Sequence, residues 1–383
     1  MLNRSILYLF LTSSCILFFS FLITAQNTYT PKFKNSSVYA GIEVGSKGVK
    51  MSLLEIDTNN KDSRAYNVLR DTTINTDFIS FTQTTYQATL EALNKLYSVA
   101  TTDFKVPAKN VFTAISSGVK IQSEKENKLN WIDQLTSAFK FNYNEPDRKV
   151  EVIDVKEEAR LSHLGIVPDS RRYNTFLIDI GSGNTKGGFF PNGNTTDFKL
   201  FQLSWGTKST YNATEKRLDG NTSMENFSKN LSRVLSGAEN TEIIFAVNES
   251  GSYPLSDNVA FSGGIAWALA TLMYPELIDN EVVPVTYSEV LKFSEKIRNN
   301  HTTLSDYYIV KTLTDSTLDA VAIGTAVKTV NKVFDQRSLL SGTGLLLKIM
   351  RQFESVYERK NFYFVKNGSV GWITAYVNKN FSN

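Results

Sequence analysis

An apolar strand that runs into an acid, passes one apolar residue, reaches Gly-Ser and turns back occurs twice in this chain. The first copy is Glu43-Val44-Gly45-Ser46, inside GIEVGSKGVK (Gly41 to Lys50). The second is Asp179-Ile180-Gly181-Ser182, inside LIDIGSGNTKGGFF (Leu177 to Phe190). One such turn constrains little, because glycine and small polar residues make any tight hairpin. Two of them, each opening a similar run of strands and helices, constrain the topology. The chain reads as duplicated α/β halves with a cleft between them, and no solenoid-length repeat competes with that reading.

In the first half, Val38 to Val44 and Val49 to Ile56 read as strands joined at Gly45-Ser46-Lys47-Gly48. Thr84 to Ala100 has Leu90, Leu93, Leu96 and Tyr97 on one helical face. A strand at Asn110 to Ile115, a helix at Leu129 to Phe139 and a strand at Lys149 to Val155 follow, and the last runs into a helix at Glu157 to Leu164. Gly165 and Pro168 then mark a boundary. The second half starts with a strand at Asn174 to Ile180 and the second hairpin. It continues with strands at Phe198 to Leu203, Ile243 to Val247 and Val259 to Ser262, and helices at Met224 to Leu235, Ile265 to Met273 and Ser288 to Ile297. The expected division is a domain over 38–166 and another over 167–383, with the last helix free to pack back on the first. A polar tether, 26–37, precedes them.

The N-terminus has a different composition. Arg4 is followed by an uncharged apolar run from Ile6 to Ile23, closed by Thr24-Ala25-Gln26, the layout of a secretory signal peptide cut after Ala25 or Gln26. Left uncleaved, the run stands at the lower length limit of a membrane anchor. Either reading places the folded part outside the cytoplasm, periplasmic or secreted. The only cysteine, Cys15, lies within this leader, so the mature chain has neither disulfide nor thiol chemistry and depends on a large core. Loss of Arg4 lowers the formal charge from +3 to +2, and so small a basic excess argues against a nucleic-acid binder. The Asn-x-Ser/Thr sequons follow from a chain rich in Asn, Ser and Thr. With only His163 and His301 available, no zinc cluster or Ser-His-Asp triad can be assembled, and both read as structural.

The chemistry concentrates at the turns. Gly181, Gly183, Gly187 and Gly188 let the backbone approach a ligand, and successive amides there can form an anion nest, with Ser182, Asn184 and Thr185 adding donors. Asp179 at the strand end could hold magnesium through water. Gly45, Ser46 and Lys47 form the matching cradle under Glu43, so that facing turns could grip a phosphate chain with metal between them. Gly263-Gly264, opening the helix in FSGGIAWAL, sets free helix N–H groups beside an anion.

Acid-x-Gly hairpins opening both halves and Gly-Gly before a late helix resemble the actin–hexokinase–Hsp70 superfamily. VIDVKEEARLSHLGI (Val152 to Ile166), followed about a dozen residues later by DIGSGNT, is similar to the exopolyphosphatase / guanosine pentaphosphate phosphohydrolase (Ppx/GppA) family. LSWGT (Leu203 to Thr207) resembles the strand and glycine after that loop. SLLSGTGLLLKIM (Ser338 to Met350) resembles the family's last helix, and FVKNGSVGWI (Phe364 to Ile373) its final strand. The resemblance spans Val38 to Ile373 and implies duplicated actin-like (ribonuclease H-like) ATPase domains with an interdomain cleft. It implies Glu157 as the residue that activates water, Glu43 and Asp179 as metal ligands, Mg2+ or another divalent cation as cofactor, and Gly206 as a further phosphate contact. Three departures stand out. The first loop reads Glu-x-Gly-Ser-Lys where the family has Asp-x-Gly-Ser-Asn. Ser182 and Asn184 replace a Gly and a Ser of the second loop, and the family's basic residue near AISSGVK has Lys120 as its nearest candidate.

The function expected is an exported phosphoanhydride hydrolase acting on inorganic polyphosphate. An apyrase-like extracellular nucleotidase and a catalytically inactive polyphosphate- or nucleotide-binding relative are the alternatives. A membrane contact is expected only from an uncleaved leader, and a homodimer stays open.

Overall fold

The computed structural model describes residues 29, 31–57, 66–251, 256–353, 359–366 and 371–381. The leader expected at 1–25 lies outside the described residues. Among those described, no helix is long and apolar enough to cross a membrane.

The first half is built on β1 (Ser36–Val44), β2 (Gly48–Asp57), β3 (Tyr66–Asn75), β4 (Val111–Ile115) and β5 (Val150–Val152). The helices of this half are α1 (Gln83–Ser98), α2 (Ser117–Lys125), α3 (Leu129–Asn142) and α4 (Val155–Ile166). The second half holds β6 (Thr175–Ile180), β7 (Thr185–Phe189), β8 (Lys199–Leu203), α5 (Thr207–Glu215), α6 (Met224–Ala238), α7 (Ile244–Ser250), β9 (Asn258–Ser262) and α8 (Gly264–Met273). It continues through β10 (Val282–Val285), α9 (Tyr287–Asn300), α10 (Asp306–Lys311), α11 (Ala320–Val333), α12 (Gln336–Phe353), β11 (Asn361–Val365) and α13 (Gly371–Phe381).

The duplication is visible in the sheets. The first has strand order β3-β2-β1-β4-β5, and the second β10-β11-β9-β6-β7-β8. Read from β8, the second repeats the first: two antiparallel ladders from the hairpin strands, then parallel pairings onto β9 and β11, with β10 added at the edge. The central strands β1 and β6 are buried because helices cover their sheets, which is why TFLIDI reads as a near-continuous apolar run. Ile42, Met51, Leu96 and Phe139 belong to the core of the first sheet, and Phe176, Phe201, Phe261 and Leu346 to that of the second.

Helix α13 returns to the first sheet. Ile373 and Tyr376 pack with Ala114, Ile153 and Leu161. A Cβ on Gly41 of β1 would stand 2.6 Å from Ile373, so glycine at that position admits the helix.

Two expectations are corrected. Ile243 to Val247, an apolar β-branched run, is helical: α6 passes through a π turn at Glu239–Ile243 into α7. The strand expected over Phe364 to Ile373 is β11, which ends at Val365, and α13 has begun by Gly371; residues 367–370 of that expectation lie outside the described residues.

Candidate functional site

The two hairpins close by the same hydrogen bond. The Gly45 amide donates to the Gly48 carbonyl at 2.9 Å, and the Gly181 amide to the Asn184 carbonyl at 3.0 Å. Such a four-residue turn fixes the register, so the acid pairs with the residue seven positions on: Glu43 faces Lys50 and Asp179 faces Lys186. Each acid-x-Gly-Ser turn thus carries a cross-strand acid–lysine pair, which only the second develops into a buried cluster.

The turns meet each other. A Cβ on Gly183 would lie 2.3 Å from Ser46 Oγ and 2.8 Å from the Gly118 carbonyl. Glycine is therefore required where the second turn touches the first turn and the start of α2. Asn184 Nδ2 donates to Ser117 Oγ at 3.1 Å, and Gln122 Nε2 donates to the Gly183 carbonyl at 2.6 Å and the Ser204 carbonyl at 3.1 Å. Thr185 Oγ1 donates to the Trp205 carbonyl at 2.7 Å.

At this junction sits a buried ionic cluster. Lys186 Nζ lies 2.8 Å from Asp179 Oδ2 and 2.9 Å from Glu158 Oε1. Glu158 Oε2 accepts the Ser117 amide at 2.6 Å, and Asp179 Oδ1 accepts Ser262 Oγ at 3.2 Å. All three charged side chains are buried. Burial alone would lower the Lys186 pKa, but the Asp179 and Glu158 carboxylates outweigh it and hold the ammonium above the ordinary lysine range. Glu43 borders the cluster. Its Oε2 has no hydrogen-bond partner among the described residues, and Lys50 Nζ stands 4.0 Å away. Burial raises its carboxyl above the usual range; Lys50 opposes that and Glu158 adds to it.

This arrangement does not fit a divalent cation held by Glu43 and Asp179. Asp179 is committed to Lys186 and Ser262, and Glu158 to Lys186 and an amide, so neither carboxylate is left to join Glu43 as a ligand. Among the described residues, no three His, Cys, Asp or Glu side chains group in a way that could hold a metal. Among the described residues, the cation that this cluster supplies is the Lys186 ammonium.

Glu157 points elsewhere. Its amide is capped by Asp154, and its carboxylate meets Lys379 of α13 at 2.7 Å and Arg160 at 3.8 Å. Consecutive helical residues project about 100° apart, and it is Glu158 that turns into the junction. Gly206 is likewise not open to a ligand. The Thr207, Lys208 and Ser209 amides at the start of α5 donate to the Gly181 and Ser182 carbonyls. A Cβ on Gly206 would lie 2.6 Å from both of those carbonyl oxygens. This helix start therefore holds the second turn and uses its free donors on protein. Gly263, at φ 92°, lets α8 begin against β6, where a Cβ would stand 2.3 Å from the Ile180 carbonyl and 2.8 Å from Asp179 Oδ1; Gly264 follows, against Phe334.

Lys47 crosses to the second half, donating to the Val333 carbonyl at the end of α11 and lying 4.7 Å from the Phe334 ring centre. Burial lowers its pKa, and nearby Lys208 lowers it further. Across the junction a cavity of about 520 Å3 opens beside Ser117, Asp154 and Ser204, with Glu124, Glu242 and Glu249 on its walls. Lys120 also lines it, 3.6 Å from Glu124. His163 is buried, its Nε2 3.0 Å from the Thr175 carbonyl, and burial pushes its pKa down to about 4.

Glu158, Lys186, Ser117 and Gln122 were not singled out from the sequence. The signal for Lys186 was there: both copies read acid-x-Gly-Ser-x-x-x-Lys, and the turn length makes that lysine the acid's cross-strand partner.

No protein-family model and no curated protein matches the chain. Solved structures do. The Aquifex aeolicus member of the Ppx/GppA family is 16% identical with a TM-score of 0.58, covering 91% of this chain and 98% of that one. An exopolyphosphatase-like protein is 14% identical with a TM-score of 0.56, covering 91% of this chain and 98% of that one. An exopolyphosphatase from Cytophaga hutchinsonii is 14% identical with a TM-score of 0.54, covering 88% and 98%. The two sheets and their helices thus have the two-domain, actin-like α/β fold seen in the Ppx/GppA structures.

Proposed function

We propose that this chain is an exported phosphoanhydride hydrolase of the Ppx/GppA kind that releases terminal phosphate, with inorganic polyphosphate as the first substrate to test. The observation that carries the reading is the convergence at one point of both Gly-Ser turns and the Glu158 carboxylate from α4. Phosphoryl transfer depends strongly on positioning, and this junction provides backbone turns, hydroxyls and an ammonium donor fixed between two carboxylates. Water attacks the terminal phosphorus as the bridging P–O bond breaks; Glu158 accepts the water proton and the shortened chain departs with the bridging oxygen. Glu158 is the better-placed base, because it faces the junction where the two turns meet, whereas Glu157 turns away toward Lys379 and Arg160. Charge disfavours entry of a phosphate chain through the cavity beside Ser117, which Glu124, Glu242 and Glu249 wall.

A non-hydrolysing phosphate binder is the second reading. It is favoured by the altered first turn, whose Lys47 is spent on the Val333 carbonyl. Residues 27–383 given long-chain polyphosphate, ATP and pentaphosphate, with released phosphate followed, separate the two. Release that falls about a hundredfold or more in Glu158→Gln, the scale of a lost general base, supports the hydrolase. Glu157→Gln is expected to keep its rate. Binding without release from any substrate favours the binder, and release unaffected by Glu158→Gln removes Glu158 as base.

A further inference from the structure

We propose that Lys186 is the resident cation of this site: its ammonium takes the place between Asp179 and Glu158 that a divalent metal takes in an oxygen-ligand centre, so the cleft handles phosphate without a metal cofactor. The proposal rests on the phosphate-site reading above and specifies how that site is charged.

The geometry is that of a small cation held by oxygen ligands. Nζ stands 2.8 Å from one carboxylate and 2.9 Å from the other, and the two acids come from different halves of the molecule, Asp179 from β6 and Glu158 from α4. Each acid is held in turn, Asp179 by Ser262 and Glu158 by the Ser117 amide, so neither is free to swing toward another ion. The second turn closes over the ammonium: a Cβ on Gly181 would lie 3.5 Å from Nζ. An ammonium has three donors, and two face carboxylates, which leaves one for a phosphate oxygen at the turn. A divalent ion entering here would have to evict a buried ammonium and break both charge pairs, since lysine cannot become a ligand without losing its proton.

Register gives a second line of support. Lys186 is the cross-strand partner of Asp179, so the strand pairing that forms the hairpin also delivers the cation to the acid. The fold and the charge of the site are set by one ladder, with no ion to recruit.

The test is a titration of the mature chain with Mn2+ alone, following free Mn2+ by electron paramagnetic resonance and the melting temperature by fluorimetry. The wild type is expected to show no saturable site and no melting shift. Lys186→Glu, which replaces the ammonium with a third carboxylate, is expected to bind Mn2+ and to melt higher with it. A saturable wild-type site that disappears in Asp179→Asn overturns the proposal. So does a Lys186→Glu variant that is folded by circular dichroism yet ignores Mn2+. If Lys186→Glu does not fold, Lys186→Gln with added methylammonium replaces it, and recovery of melting temperature by the amine is the expected result; a fall that methylammonium leaves uncorrected overturns the assignment.

Pentaphosphate affinity is then compared in EDTA and in Mg2+. Agreement within about twofold is expected, and a loss of about tenfold in EDTA, one decade of binding constant, overturns the metal-free reading. Pentaphosphate that binds under neither condition counts against the phosphate site itself, while the Mn2+ titration still decides the role of Lys186.

Discussion

The two hairpins share a plan and differ in outcome. Both have an acid, a Gly-Ser turn closed by the same amide-to-carbonyl bond, and a lysine opposite the acid. In the first, Lys50 is one-third exposed and stands 4.0 Å from Glu43, whose Oε2 has no hydrogen-bond partner among the described residues. In the second, Lys186 is buried and grips two carboxylates at under 3 Å. The cause lies outside the hairpins. Helix α4 sends Glu158 to the second lysine, whereas Lys50, among the described residues, meets Glu43 and the field of Asp71 on β3. A repeated motif thus fixes backbone and register, and the neighbouring element decides whether the pair becomes a surface contact or a buried ionic centre.

That contrast is broken or kept most clearly by removing each lysine's charge. Lys186→Met leaves two buried carboxylates without their counter-ion and is expected to cost about 3–5 kcal/mol, the scale for breaking a buried pair by deleting one partner. Lys50→Met removes a partly exposed pair and is expected to cost less than about 1 kcal/mol. Urea unfolding of both variants measures this; equal losses would mean that the second cluster is no more integral than the first pair.

The turns themselves give the next effect. Gly183→Ala drives a methyl against Ser46 Oγ and the Gly118 carbonyl, while in Gly45→Ala the nearest atoms, Glu43 Oε1 and the Gly48 carbonyl, are each 3.2 Å away. Overpacking of this kind costs about 1–3 kcal/mol, and the larger share is expected at Gly183. Ser46→Gly in the Gly183→Ala background should recover part of it, because the Gly118 carbonyl remains. A double-mutant cycle showing no coupling would separate the two turns that the structure places in contact.

How much of this could be read from the sequence follows from what each signal depends on. The strands β1, β2 and β6, the twin turns and the helices α1, α3 and α9 were legible because apolar periodicity and glycine placement are local properties. The run Ile243 to Val247 misled because a short apolar β-branched segment looks the same in a buried strand as in a helix, and here the preceding helix carries on through a π turn. Glu157 was preferred to Glu158 by family likeness. Which of two adjacent helical acids faces the junction is set by how α4 docks on the second half, and that is a tertiary fact. Gly206 reads as a phosphate contact by the same likeness, but only the fold shows that the amides following it already donate to the Gly181 and Ser182 carbonyls. The buried ammonium was legible in principle, since a four-residue turn dictates pairing of residues seven apart.

The smallest expected effect concerns Glu43, the acid left over when the second hairpin takes Glu158. Its folded pKa is raised by burial and by the neighbouring acids, with Lys50 pulling the other way. A carboxyl with a raised native pKa binds its proton more tightly when folded, so its contribution to stability is greatest in acid and falls as pH rises from its unfolded value through its folded one. Glu43→Gln keeps the shape and removes that titration. The variant and the wild type should therefore have similar unfolding midpoints below about pH 4, near the unfolded carboxyl value, and the variant should become the more stable of the two as pH climbs toward neutrality. Asp179→Asn, which removes one of the two carboxylates that hold the Lys186 ammonium, should instead lower stability at neutral pH. Matching responses of the two substitutions across the pH range would show that the acids of the two hairpins are equivalent after all, and that the asymmetry drawn from Glu158 and Lys186 does not govern the junction.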